Sequence, residues 1–247
     1  MRYFIRLGYR GANFHGWQVQ PHDCSVQQTI EEALATLLRV PTPITGAGRT
    51  DAGVNARLMV AHFDASQPIT DTERLIHGLN ALLPADIAIY SITQVHDEAH
   101  ARFDATSRTY KYFAVTRKDP FLHPVSWKCP PDLDFELMNE AAARLKGYTD
   151  FTSFSKLHTD VKTNNCSVSH AQWTQHGDQW VFTITADRFL RNMVRAIVGT
   201  LVEVGRHKIT VDQFCDIIER KDRCAAGTSM PGHALFLWDI TYPYPIG

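Results

Sequence analysis

Four short stretches of this chain carry residue types that could do chemistry. The first is Gly46-Ala47-Gly48-Arg49-Thr50-Asp51-Ala52-Gly53-Val54-Asn55-Ala56, which sets a cation, a hydroxyl and a carboxylate side by side among glycines. Glycine permits positive φ and close approach of backbone to a ligand. The loop therefore suits a carboxylate presented to a substrate, or a nest of amides around an anion. The Gly-Lys-Ser/Thr ending of a phosphate-binding loop is absent, and so is the glycine spacing of a dinucleotide site. The competing reading is a turn in which Asp51 caps backbone amides. The second stretch, Ser107-Arg108-Thr109-Tyr110-Lys111-Tyr112, alternates Arg108, Tyr110 and Tyr112 onto one strand face. Tyrosines among basic residues suit base stacking beside phosphates; a core-facing aromatic row with snorkelling arginines is the alternative. The third, Phe189-Leu190-Arg191-Asn192-Met193-Val194-Arg195, spaces Arg191 and Arg195 for one face of a helix. Either both lie on the solvated side, or one is buried and needs a carboxylate. The fourth, Phe14-His15-Gly16-Trp17-Gln18-Val19-Gln20, is a polar-aromatic loop, with an ordinary loop around a buried Trp17 as its plainer reading.

Regular elements must position these residues. Residues 2–9 alternate, with Tyr3, Ile5 and Leu7 against Arg2, Phe4 and Arg6, and read as a strand. Ser25-x-x-Gln28 is a capping box opening a helix with Val26, Ile30, Ala33, Leu34, Leu37 and Leu38 on one face; Pro41 and Pro43 end it. A strand over 58–63 follows the Asp51 loop. Thr70-x-x-Glu73 caps a second helix, stopped by Pro84, and 87–95 is an isoleucine-rich strand. If the residues before Arg49 supply a short strand, the order is β-α-β-β-α-β. It then repeats. Residues 108–116 form an aromatic strand, 134–146 a helix with Gly147 at its C-terminal cap, and 166–174 with 180–185 a hairpin around His176-Gly177-Asp178. An apolar helix over 189–204, a small capped helix over 210–220 and a final strand over 235–242 complete the chain. The fold class this implies is α+β, as two related split-βαβ halves with antiparallel sheets backed by helices. The expected halves are 1–104, carrying the Asp51 loop, and 105–247, carrying the tyrosine strand and arginine helix.

Composition narrows the function classes. The chain has 247 residues, enough for one large or two small domains, and its ordinary apolar and charged content excludes disordered, collagenous and coiled-coil classes. No apolar run approaches a membrane span, and the opening strand has no signal-peptide core. Five cysteines without a C-x-x-C fit a reducing cytosol, so a cytoplasmic protein is expected. The twelve histidines show no ligand spacing, so no metal site is expected. Net charge is −1, yet residues 2–10, 101–118 and 188–208 carry +3, +4 and +4, leaving −12 for the rest. A fold that gathers those windows makes a basic face suited to nucleic acid; ordinary solvated surface is the alternative.

In this order and spacing, the four stretches resemble the TruA-type tRNA pseudouridine synthases. The most specific piece is Gly48-Arg49-Thr50-Asp51-Ala52-Gly53-Val54; Tyr9 to Gln20, Ser107 to Tyr112, Phe189 to Val198 and Leu235-Phe236-Leu237 also match, so the likeness covers essentially the whole chain. The resemblance implies that Asp51 is the catalytic carboxylate and that Arg49 helps displace the target base. It implies that Tyr110 packs on the uracil, that Arg195 pairs with the aspartate, with Arg191 one turn away, and that Leu235 contacts the base. It further implies an active-site cleft between the halves. The expected partners are tRNA, modified at uridines 38, 39 and 40 of the anticodon arm, and a second copy in a homodimer. No cofactor is implied, because the reaction isomerises uridine without adding atoms. The chain departs from the family pattern at Asn55, where histidine is usual. Asn55 is placed among the substrate-binding residues, and its substitution bears on substrate range because asparagine cannot titrate. Two other readings compete: a catalytically idle tRNA-binding protein of the same fold, which a product assay distinguishes, and an unrelated enzyme on a small phosphorylated ligand, which would have no affinity for tRNA.

Overall fold

The computed structural model describes residues 1–156 and 163–246. The chain divides into two units, Met1–Thr106 with Leu237–Gly247, and Ser107–Phe236. Residues 237–246 thus group with the first unit and not with the second half to which the sequence assigned them. The reason is local bonding. Thr106 N donates to the Thr241 carbonyl (2.8 Å), the Tyr242 hydroxyl donates to the Ala101 carbonyl (2.6 Å), and the Tyr242 ring meets Phe4 edge-on at 5.4 Å.

The first unit is built on β1 (Arg2–Tyr9), whose apolar residues are covered on both faces. It pairs antiparallel with β3 (Asn55–Asp64) on one side and with β4 (Ile87–Val95) on the other. The short strand β2 (Thr45–Gly46), the element the sequence left conditional, pairs antiparallel with β3. Across β1 and β3, Arg2 forks onto Asp64 through two hydrogen bonds of 2.9 and 2.8 Å. Helix α1 (Val26–Leu38) is capped by Ser25, which accepts from Gln28 N. The capping box is incomplete, because the Gln28 amide turns to Glu32. Helix α2 (Thr72–Leu82) is capped by Asp71, which accepts from Arg74 N, and not by Thr70. An aspartate one residue on offers the same reach with a full charge at the positive end of the helix. Both helices bury one apolar stripe, and α2 packs on β4.

The second unit repeats the scheme. β5 (Ser107–Val115) pairs antiparallel with β8 (Gln179–Ala186), which pairs with β7 (Val168–His176). The hairpin turns at Gly177, whose φ of +60° suits glycine. β6 (Trp127–Lys128) adds in parallel to the end of β5. In chain order the strands lie first, third, second, as do β1, β3 and β2. Helix α3 (Phe135–Arg144) ends in a 3-10 turn, Leu145–Gly147, and packs on β7. The Asn139 side chain bonds both the N–H and the carbonyl of Trp173, satisfying that strand's outer backbone. Helix α4 (Met193–Gly205) is buried nearly all round, and α5 (Val211–Glu219) opens on a complete Thr210–Gln213 capping box. The last strand, β9, runs Leu235–Thr241. No helix among the described residues is long and apolar enough to cross a membrane.

Candidate active site

The Asp51 loop joins β2 to β3 and is clamped from one side by residues 9–17. Tyr9 OH and Thr50 Oγ1 share a buried hydrogen bond of 2.8 Å. Trp17 N donates to the Thr50 carbonyl (3.2 Å), and Gly53 N to the Phe14 carbonyl (3.3 Å). Three glycines permit this approach. A Cβ on Gly16 would meet the Thr50 oxygen at 2.5 Å, one on Gly11 the Val54 oxygen at 2.2 Å, and one on Gly46 the Trp17 ring at 2.6 Å. Gly16 and Gly53 also sit at φ of +97° and +75°, conformations that side chains disfavour. Trp17 is buried, so the plainer reading of the Phe14–Gln20 stretch holds, and its work is to shape the loop beside it. Held this way, the loop leaves Arg49 exposed and Asp51 half-buried. The amide of Val54 closes the turn on the Asp51 carbonyl (3.1 Å).

In the second unit Tyr110 and Tyr112 point the same way from β5, but to different surroundings. Tyr110 is half-buried and meets Phe189 edge-on, centroids 5.0 Å apart. Tyr112 is fully buried; burial pushes its hydroxyl up, partly offset by the positive charge of Arg195. The row is therefore core at Tyr112, where the core-facing reading holds, and half-open at Tyr110. Arg108 donates to the Asp187 carbonyl at 2.8 Å.

The helix expected over 189–204 begins only at Met193, because Asn192 adopts a left-handed conformation (φ +67°) that asparagine tolerates. Arg191 and Arg195 do not share a helix face. Arg191 lies exposed before the helix; Arg195 is half-buried in its first turn. Arg195 Nε donates to the Met230 carbonyl at 2.6 Å, and Met230 N donates back to the Arg195 carbonyl at 3.1 Å. The 227–230 segment lies against α4 so closely that a Cβ on Gly199 would sit 1.8 Å from the Thr228 oxygen.

Comparison with known proteins decides the family. The chain is 69% identical over 242 residues to a protein of Parabacteroides distasonis named tRNA pseudouridine synthase A, spanning 98% of this chain and 96% of that one. It is 58% identical to the Bacteroides fragilis protein of that name (99% and 98% covered) and 41% identical to the Bacillus subtilis one (98% and 99%). The chain belongs to the tRNA pseudouridine synthase A family. A family model described as tRNA pseudouridine synthase also matches residues 141–243. The family's enzymes are isomerases of tRNA uridines, and this chain is one of them.

Within this family member, Arg49, Asp51 and Asn55 belong to the first unit, and Tyr110, Arg195 and Leu235 to the second. Leu235 is buried at the start of β9. Asn55 is 3% exposed, and its Oδ1 accepts from Gly11 N at 2.9 Å. That bond ties the 9–17 segment to the end of the Asp51 loop. Sequence reasoning missed Tyr9, Gly11 and Gly16 as loop-shaping residues; the glycines flanking Phe14 were the available signal. The five cysteines are all free thiols. Burial pushes Cys129 up to about 11 and Cys166 up to about 12, so neither is an activated nucleophile. Among the described residues no cluster of His, Cys, Asp or Glu could hold a metal ion. The basic windows are partly neutralised: Arg2 by Asp64, Arg117 by Asp178, and Arg206 and Lys208 by Glu203.

Proposed function

We propose that this chain, acting as a homodimer, isomerises uridine to pseudouridine at positions 38, 39 and 40 of the tRNA anticodon arm, with Asp51 as the catalytic carboxylate. The reaction breaks N1–C1′, turns the uracil and forms C5–C1′; C5 loses a proton and N1 gains one. Atoms balance within the uridine, so no cofactor is needed. The target base lies stacked in a helical arm and must be extruded, at a cost of a few kcal/mol. Arg49, exposed two residues before Asp51, takes the place of the displaced base and holds phosphate. Ionised Asp51 assists cleavage of the glycosidic bond. Tyr110 offers the uracil a flat face, and its hydroxyl can relay the C5 proton, taking it up as it passes its own on toward N1. Leu235 adds an apolar contact to the base. Arg195 supplies positive charge, oriented by the Met230 carbonyl. Asn55 acts through Gly11, as a positioning residue for the loop.

The observation that supports this reading best is the Asp51 loop itself. Its backbone is fixed at Thr50, Gly53 and Val54 while the carboxylate between them stays half-exposed. The test is incubation of unmodified tRNA with the chain, followed by position-resolved pseudouridine mapping. Signal confined to positions 38–40 is expected; signal elsewhere only, or none, overturns the proposal.

A further inference from the structure

The turn at 98–106 holds an aromatic ring outside the core. Phe103 is 74% exposed. The turn beneath it is nevertheless fully bonded. His100 N donates to Asp104 Oδ2 (2.8 Å), Asp104 N donates to the His100 carbonyl (3.0 Å), and Tyr244 OH donates to the same carboxylate oxygen (2.5 Å). His100 Nδ1 accepts from the amides of Arg102 (3.1 Å) and Phe103 (3.3 Å). The His100 ring backs Phe103 at 4.2 Å between centroids and rests edge-on against His62 at 4.6 Å. The Arg102 guanidinium carbon lies 5.7 Å from the Phe103 centroid.

Folding does not account for this ring. A side chain so exposed contributes little burial, and the turn is held by backbone and by the side chains of Arg2, His62, His100, Asp104, Tyr242 and Tyr244. The flanking residues Arg102 and Thr106 are exposed and polar, so the ring is not part of an apolar patch of the kind that docks a protein. Nearby carboxylates are engaged: Asp64 with Arg2, Asp97 with the N-terminal ammonium, Asp104 with Tyr244. Glu98 also lies within the field of the Arg2 guanidinium. A flat ring with a guanidinium at its side suits a ligand with a π face and an anionic group, which is the chemistry of a nucleotide.

We propose that Phe103, backed by His100 and flanked by Arg102, is a stacking shelf for one unpaired nucleotide of the tRNA other than the uridine being isomerised. This rests on the tRNA reading above, with Tyr110 assigned to the target base. The base lies over the ring and its phosphate meets Arg102. The aromatic face, and not apolar bulk, does the recognition.

The experiment is equilibrium binding of an unmodified tRNA transcript to the full chain carrying Phe103→Ala, Phe103→Leu or Phe103→Trp, with mass by light scattering alongside. The Ala and Leu variants are expected to bind about ten-fold more weakly, and the Trp variant within about two-fold of wild type. The added indole is expected to be quenched by tRNA beyond the change shown by the five native tryptophans. Wild-type affinity in the Ala or the Leu variant overturns the shelf. So does a fall in mass in the Ala variant, which would make Phe103 a contact between copies. Binding is read without turnover, so failure of the wild type to form pseudouridine would sink the functional reading separately.

Discussion

Tyr9 and Thr50 share a buried hydrogen bond of 2.8 Å that ties the end of β1 to the residue before Asp51. Tyr9→Phe leaves Thr50 Oγ1 without that partner and should cost about 1–2 kcal/mol. Thr50→Val should cost a similar amount. The double variant should cost less than the two together, because no buried polar atom is then stranded. Denaturant unfolding of the four proteins checks this, and simple additivity would mean the bond does not couple the two residues.

Gly16 is the least replaceable residue of the clamp. Its φ of +97° and the Thr50 oxygen 2.5 Å from a would-be Cβ oppose any side chain. Gly16→Ala should lose roughly 1–3 kcal/mol from conformation alone, and more from the clash. Gly48→Ala, at a position where a Cβ meets nothing within 4 Å, should stay within about 0.5 kcal/mol of wild type. Equal losses in thermal unfolding would refute the clamp.

The contrast between these glycines marks what could be read in the sequence. Periodicity located the longer strands and the helices, because apolar spacing reports the faces that must be buried, whereas the two-residue strands β2 and β6 are too short to carry a period. The Asp51 loop stood out by residue type. Its clamp did not, since Tyr9 and Gly16 meet Thr50 only after β1 and β3 pair. Arg191 and Arg195 were misplaced for a local reason. Asn192 turns left-handed, and no apolar pattern encodes that. Asn55 was read for what a family histidine would do, whereas its oxygen is committed to the Gly11 amide.

Acid should destabilise the first unit through His62. Burial, with Arg2 and His100 nearby, lowers its pKa from 6.5 to about 4. The unfolded chain therefore takes up this proton first. Stability from the neutral ring is full above about pH 6.5 and is lost as pH falls toward 4, by roughly 2–3 kcal/mol. His62→Asn, which keeps an acceptor for the Ala101 amide now bonded to Nδ1 (3.1 Å), should flatten that limb. Unfolding free energies measured between pH 4 and 7 test it; an unchanged slope would assign the acid limb to other groups.

Arg195 and Arg191 should separate kinetically. Arg195→Lys keeps the charge but loses the Nε bond to Met230, so kcat/KM should fall about ten- to hundred-fold, with Arg195→Ala lower still. Arg191→Ala, exposed and outside α4, should act on tRNA affinity instead. Steady-state kinetics on one tRNA decide it, and the reverse pattern would exchange the two assignments.

Salt should weaken tRNA binding, since phosphate contacts release counterions. Arg2 is committed to Asp64 and to the Ala99 carbonyl. Arg2→Met should therefore lower stability and leave the slope of log affinity against log salt unchanged. A slope reduced by about one would place Arg2 on a phosphate.

The most direct test of the account is single-turnover pseudouridine formation by Asp51→Asn beside its affinity for the same tRNA. Asn keeps the size and hydrogen-bonding reach of the side chain while removing the carboxylate, in a loop whose clamp is unaltered. Product at positions 38–40 is expected to disappear while tRNA binds within several-fold of wild type, because the carboxylate acts in the transition state more than in ground-state binding. Turnover by the Asn variant at more than a few per cent of the wild-type rate would contradict it.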